Sequence, residues 1–192
     1  MKIFAAGLAA LILCGPVMAE PAWVLDAETS KVAYGSIKKD RIGEVNHFGT
    51  LAGTVDDTGL VRVEIDLASV ETYVDIRNER MREHVFGATP VAVLTSQIDL
   101  EALEAMAPGD TAIVDVDGML AFVSAEVEIY TEAFVARLAD GKALVTTDGM
   151  IMLGTEELAI DGAIDTLMGL ADLPGITRVA PVTFRLVFDK AG

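Results

Sequence analysis

Few residues in this chain are of the types that do chemistry, and their spacing suits it poorly. There are two histidines, His47 and His84, and one cysteine, Cys14. A zinc centre needs three or four His, Cys or carboxylate ligands at short, regular spacings, so no metal site is expected. The sequence carries no G-x-S-x-G elbow and no glycine loop set ahead of a helix to cradle a phosphate. Glu126 and Glu128 alternate with Ala125, Val127 and Ile129, which places both carboxylates on the wet face of a strand as solubilising groups. His47, between Asn46 and Phe48, reads as a hydrogen-bonded structural histidine. No catalysis is expected, and no motif calls for a cofactor.

One cluster stands apart. Arg77-Asn78-Glu79-Arg80-Met81-Arg82-Glu83-His84 sets three arginines within six positions. On one reading Arg77, Asn78, Arg80, Arg82 and His84 form a donor patch for an anionic or carbonyl-bearing head group, because guanidinium offers a planar fork of donors. On the other, this is a short helix capped by Asp75, whose arginines pair with Asp75, Glu79 and Glu83 and brace the following loop. The second is favoured, since opposite charges close together on a short helix commonly pair with one another.

The elements that would position these residues begin after an export signal. Lys2, an uncharged apolar stretch over residues 3–13 and Val17-Met18-Ala19 have the layout of a secretory signal, with cleavage after Ala19. A membrane anchor needs ~20 apolar residues; this run is shorter and is broken by Gly15-Pro16. Leu13 is bulky where a lipid-anchoring motif around Cys14 would carry a small residue. Cleavage removes Cys14 and with it any internal disulfide. Residues 20–192 then form one domain large enough to depend on burial alone. The net charge of −16 becomes one unit more negative when Lys2 leaves. Such a surface repels nucleic-acid phosphates and anionic lipid at long range, so no nucleic-acid partner is expected.

Within the domain the strongest pattern has period two. In residues 61–67 every odd position is apolar and every even one charged, and 125–129 and 183–189 alternate in the same way. Further strands are expected over 31–37, 45–54, 91–99, 111–120 and 143–152. Turn signals punctuate them at Asp56-Asp57-Thr58-Gly59, Pro108-Gly109-Asp110, Asp117-Gly118 and Ala139-Asp140-Gly141. Helices are expected over 77–85 and from near Asp161, where Ile164, Leu167, Met168 and Ala171 share a face ahead of Pro174-Gly175. A helical turn over 100–106 is a weaker expectation. Many short strands with few helices imply an all-β sandwich or barrel.

Several stretches also resemble the YceI-like proteins. They are Trp23-Val24-Leu25-Asp26 with Ser30-Lys31-Val32; Ser69-Val70-Glu71-Thr72 with the run from Asp75 through Phe86; Ala143-Leu144-Val145 onward through Ala159, Gly162 and Leu167; and Ile176 through Phe184. The resemblance spans about residues 22–190. The chain departs from the family at Gly87-Ala88-Thr89-Pro90, a shorter loop without the usual aromatic, and at Asp148-Gly149. The resemblance implies an extended lipocalin-like antiparallel β-barrel of about eight strands, periplasmic and often dimeric, whose interior holds a polyisoprenoid chain or an isoprenoid quinone. It also admits a transient contact with a membrane or a membrane protein.

On that view the apolar faces of the alternating strands would line the lipid chain: Val61, Val63, Ile65, Leu67, Val127, Ile129, Phe184, Leu186 and Phe188, together with Phe86. The same residues would equally fill a solid core, giving an interaction module that docks on a membrane-bound partner. An enzyme on this scaffold is disfavoured by the missing nucleophile, metal cluster and cofactor motif.

Overall fold

The computed structural model describes residues 20–192; the signal expected at residues 1–19 lies outside the described residues. The strands are β1 (Pro21–Leu25), β2 (Lys31–Lys38), β3 (Ile42–Phe48), β4 (Leu51–Asp56), β5 (Leu60–Asp66), β6 (Val70–Glu71), β7 (Val91–Gln97), β8 (Thr111–Phe122), β9 (Ala125–Arg137), β10 (Lys142–Thr147), β11 (Ile151–Gly154) and β12 (Val179–Lys190). All pairings are antiparallel, and the sheet closes when β12 pairs with β10 on one side and with β1 and β2 on the other. β1 with β2 and β3 with β4 act as two long bent staves, because β1 pairs with β4 while β2 pairs with β3. With β5, β7, β8, β9, β10 and β12 they make a closed barrel of eight staves, a size whose interior just accommodates side chains or one slim ligand.

Two bends divide what reads in sequence as single strands. The run 45–54 breaks at Gly49-Thr50, where both backbone N–H groups donate to the Ser69 hydroxyl at 3.1 and 3.0 Å. The run 143–152 breaks at Asp148, whose N–H donates to the Glu132 carbonyl at 2.9 Å. Asp117-Gly118 is no turn: both residues lie inside β8. The Cβ missing from Gly118 would stand 2.9 Å from the Thr95 carbonyl oxygen and 3.2 Å from Leu94 Cδ1, so the glycine marks a close approach of β7 and not a reversal of the chain. β9 also runs well beyond residue 129, through Arg137.

Helices close the two ends. α1 (Asp75–Arg80) continues into a π-helical turn, Met81–Phe86, that buries Val85 and Phe86 before Gly87 stops it at φ +54°. Val74, not Asp75, occupies the cap position of α1; Asp75 lies in the first turn, where its charge suits the helix dipole. α3 (Asp161–Leu170) buries Ile164 and Leu167 at the same end. At the other end sits α2 (Leu100–Glu104), capped by Asp99, whose carboxylate accepts from the Ala102 N–H at 3.0 Å. None of these helices is long and apolar enough to cross a membrane.

The core follows the alternation. Val63 and Leu67 of the β5 stretch are fully enclosed, and Ala133, Val135, Leu186 and Phe188 carry the same inward face around the barrel. Each fully buried Val, Leu or Phe contributes about 1.5–3 kcal/mol relative to exposure.

Candidate functional site

The interior is neither a solid core nor one open tunnel. Among the described residues it contains two apolar chambers set end to end. The first, beneath α2, encloses about 110 Å³, and the second, beneath α1 and α3, about 150 Å³. The alternating strands thread both: Val61 and Val63 line the first chamber and Ile65 and Leu67 the second, while on β8 Val116 belongs to the first and Leu120 to the second.

Between the chambers the barrel has a waist built on two inward glycines. The space beside Gly53 is taken by Leu25, whose Cδ1 would stand 3.2 Å from an added Cβ, and that beside Gly118 by Leu94 at the same separation. Leu94 lines the first chamber and Leu25 neither, so leucines lying over glycines narrow the barrel where the first chamber ends. In the second chamber a row of aromatic rings supplies the wall. Tyr34 and Phe48 have centroids 5.5 Å apart, Phe48 and Phe86 5.9 Å, and Phe86 and Phe122 6.2 Å.

Of the chain-lining candidates, Val61, Val63, Phe184, Leu186 and Phe188 line the first chamber, and Ile65, Leu67 and Phe86 the second. Val127 and Ile129 are buried but border neither chamber.

The arginine-rich segment is distributed differently from its sequence spacing. The arginines do not pair along the helix: Arg77 Nη1 donates to Glu44 Oε2 at 2.5 Å, across the barrel end from β3, and Nη2 to the Thr72 carbonyl at 2.6 Å. Backbone turns had hidden this partner, which is 33 positions away in sequence. Glu44 also accepts from Lys38 at 2.7 Å. Burial pushes the Glu44 carboxyl up, but its bonds to Arg77 and Lys38 outweigh this and hold it below the usual carboxylate range. Asn78 is buried, and its Oδ1 accepts from the Thr72 N–H at 2.8 Å and the Thr72 hydroxyl at 2.6 Å, while Nδ2 donates to Glu71 at 3.1 Å. Arg80 is half-buried; Arg82 is exposed and reaches the Ala68 carbonyl at 3.4 Å; His84 lies 3.7 Å from Glu83. From this segment Met81, Val85 and Phe86 line the chamber, and the charged residues do not.

His47 packs its ring on Tyr73, centroids 5.7 Å apart, and makes no side-chain hydrogen bond among the described residues. The expected polar partner is replaced by an aromatic neighbour, and burial together with Lys31 lowers the pKa of the imidazole.

Each barrel end carries buried polar atoms without a hydrogen-bond partner among the described residues. At the α1 end these are the Tyr34 hydroxyl, Asn46 Oδ1 and Arg77 Nε. Burial raises the Tyr34 phenol well above its ordinary range, with Arg77 opposing. At the α2 end they are Trp23 Nε1 and Arg137 Nε and Nη1, and both residues line the first chamber. The Arg137 guanidinium stacks 4.6 Å above the Trp23 ring, with the Lys190 ammonium 5.7 Å from that ring. Glu104 of α2 pairs with Lys190 at 2.9 Å, and that bond, aided by Trp23 and Arg137 nearby, holds its carboxyl below the usual range. The alternation of residues 125–129 continues through Ala133 and Val135 and puts Arg137 on the inward face.

Comparison with protein-family models and with curated proteins returned no match. Solved structures did match. A polyisoprenoid-binding domain from Saccharophagus degradans, implicated in plant cell wall breakdown, superposes with a TM-score of 0.88 at 32% identity, covering 90% of this chain and 100% of that one. Burkholderia cenocepacia BcnA superposes with a TM-score of 0.64 at 18% identity, over 85% of this chain and 98% of that one, and so shares the fold.

Proposed function

Because the chain belongs to the YceI-like family, we propose that it is an exported, periplasmic carrier that holds a polyisoprenoid or isoprenoid-quinone lipid inside its barrel. The observation that carries this reading is the pair of apolar chambers running end to end through the interior. The relative at 32% identity is a polyisoprenoid-binding domain, which supports the same ligand class.

Each chamber is smaller than the ~300–1,000 Å³ typical of ligand pockets. A long prenyl chain must therefore occupy both, turning Leu25 and Leu94 aside at the waist. Gly53 and Gly118 offer no side chains to obstruct that movement. Burial is worth about 25 cal/mol per Å² of apolar surface, so a chain of several isoprene units binds tightly without polar contacts along its length. Chain length would be read by the two chambers together, and the reading assigns the protein no catalysis.

The test is direct. Protein recovered from the periplasm of cells expressing the full chain is extracted with organic solvent and the extract is examined by mass spectrometry. A stoichiometric prenyl lipid is expected. Folded protein that carries none, and that takes up no added prenyl quinone, would exclude the carrier role.

A further inference from the structure

We propose, resting on the carrier reading above, that Trp23 and Arg137 form the seat of the lipid's polar head, an oxygen-bearing group at the end of the prenyl chain, beneath α2. Three N–H donors, Trp23 Nε1 and Arg137 Nε and Nη1, lie buried together at the wall of the first chamber with no acceptor among the described residues. Native structures rarely leave buried donors unmet, and an unmatched set at a cavity wall points to an acceptor that arrives with the ligand.

The charge balance agrees. Arg137 has no ion-pair partner within 4.0 Å among the described residues; the Glu104 carboxylate, which lines the same chamber and is influenced by both Trp23 and Arg137, is paired with Lys190. Arg137 is half-buried with Nε and Nη1 shut off from water, and leaving those two donors unmet is costly, so an oxygen acceptor offsets that cost.

The opposite end is built otherwise. There the unpartnered set is mixed: the Tyr34 hydroxyl and Arg77 Nε donate, while Asn46 Oδ1, on the residue paired with Tyr34 across β2 and β3, accepts. The Arg77 charge at that end is already neutralised by Glu44. That end is left with Arg77 Nε as one spare donor on a charge-paired arginine, whereas the α2 end holds three donors, two of them on an arginine with no ion pair among the described residues.

Access fits as well. α2 contains no fully buried residue; its Leu100 and Leu103 roof the first chamber, and the Asp99 cap and the Glu104–Lys190 pair hold its ends. Lifting it opens the chamber beneath Leu100 and Leu103, and local opening of this kind comes from the least stable parts of a fold. The head would settle last, under α2, with the chain running through the waist toward α3.

The ligand chemistry is an oxygen acceptor, met by a quinone carbonyl or by a prenyl phosphate. Trp23 is the only tryptophan in the chain, so its emission reports on the seat. Delipidated full-length protein is titrated with a prenyl benzoquinone, a prenyl phosphate and an oxygen-free prenyl hydrocarbon of matched length. The quinone should quench Trp23 strongly at saturation and the hydrocarbon should not. Arg137→Met should weaken binding of the oxygen-bearing ligands ~10- to 100-fold, the equivalent of a hydrogen bond to a charged group, while leaving hydrocarbon affinity within about twofold. Tighter binding of the phosphate or of the quinone names the source of the acceptor, and both orders support the seat. Equal affinities with unchanged Trp23 emission, or a loss confined to Arg77→Met, would overturn the seat and leave the carrier standing. If the wild-type protein binds none of the three, the carrier reading fails and the seat fails with it. The quenching needs no variant, so a misfolded Arg137→Met cannot leave the question open.

Discussion

Leu94 Cδ1 lies 3.2 Å from the place where a Cβ on Gly118 would stand, so the leucine fills the hollow that the glycine leaves at the barrel waist. A side chain at residue 118 would also meet the Thr95 carbonyl oxygen at 2.9 Å, a backbone atom that cannot swing away. Gly118→Val should therefore destabilise by about 1–3 kcal/mol through overpacking. Urea unfolding followed by circular dichroism would measure it, and a stability equal to wild type would mean that the waist is not close-packed.

Leu94→Ala opens the same waist from the other side. Removing a core leucine costs about 2–5 kcal/mol, but the two chambers then merge. The variant should retain long prenyl chains better, relative to short ones, than wild type does. Mass spectrometry of lipids captured from a mixed-length pool would reveal the shift, and an unchanged length distribution would show that the waist does not select.

Much of this arrangement was legible in the sequence. The alternation in residues 61–67 and 183–189 gives two long staves and their inward faces. The helix expected from near Asp161 is α3, although it ends at Leu170, ahead of Pro174-Gly175 and with Ala171 at its cap. The bends at Gly49-Thr50 and Asp148 were not legible, because they depend on Ser69 and Glu132, acceptors distant along the chain. The waist was missed for a related reason. Asp117-Gly118 has turn-forming composition, and only the neighbouring strand reveals that the glycine serves close packing. Arg77 carried a similar ambiguity, since its local acidic neighbours suggest pairing within the helix while the folded barrel brings Glu44 closer.

The Glu44–Arg77 pair should make stability depend on pH. Glu44 is held below the usual carboxylate range in the folded protein, so the unfolded state binds its proton more readily. Its contribution is complete above the ordinary carboxylate pKa and is lost as pH falls through the lowered value. Glu44→Gln should cost about 1–2 kcal/mol near neutrality, and the gap in melting temperature between variant and wild type should close in acid. A gap that persists at low pH would assign the loss to packing.

Asn78 makes a bolder prediction for a polar residue within a short helix. Its side chain accepts from both the N–H and the hydroxyl of Thr72 and donates to Glu71, and it is buried. Asn78→Ala leaves the Thr72 donors unmet in a dry site, at a cost of about 2–3 kcal/mol. Asn78→Asp keeps the acceptor for Thr72 but turns the bond to Glu71 into a carboxylate–carboxylate repulsion in a buried site. It should therefore be destabilised near neutrality and recover part of the stability in acid by the same chemical denaturation assay.

Stability and ligand uptake can be separated at Ala133. This residue is almost fully enclosed and lines the first chamber, so a larger side chain would project into existing space. Ala133→Leu should stabilise the empty protein by about 0.5–2 kcal/mol, as cavity-filling changes commonly do. The same atoms occupy volume that a prenyl chain needs, so affinity for a prenyl quinone should fall at least ~10-fold. The two effects have opposite signs, and a melting curve and a binding titration on one sample would read both. A variant that is more stable and still binds at full strength would show that the lipid does not enter the chamber beneath α2.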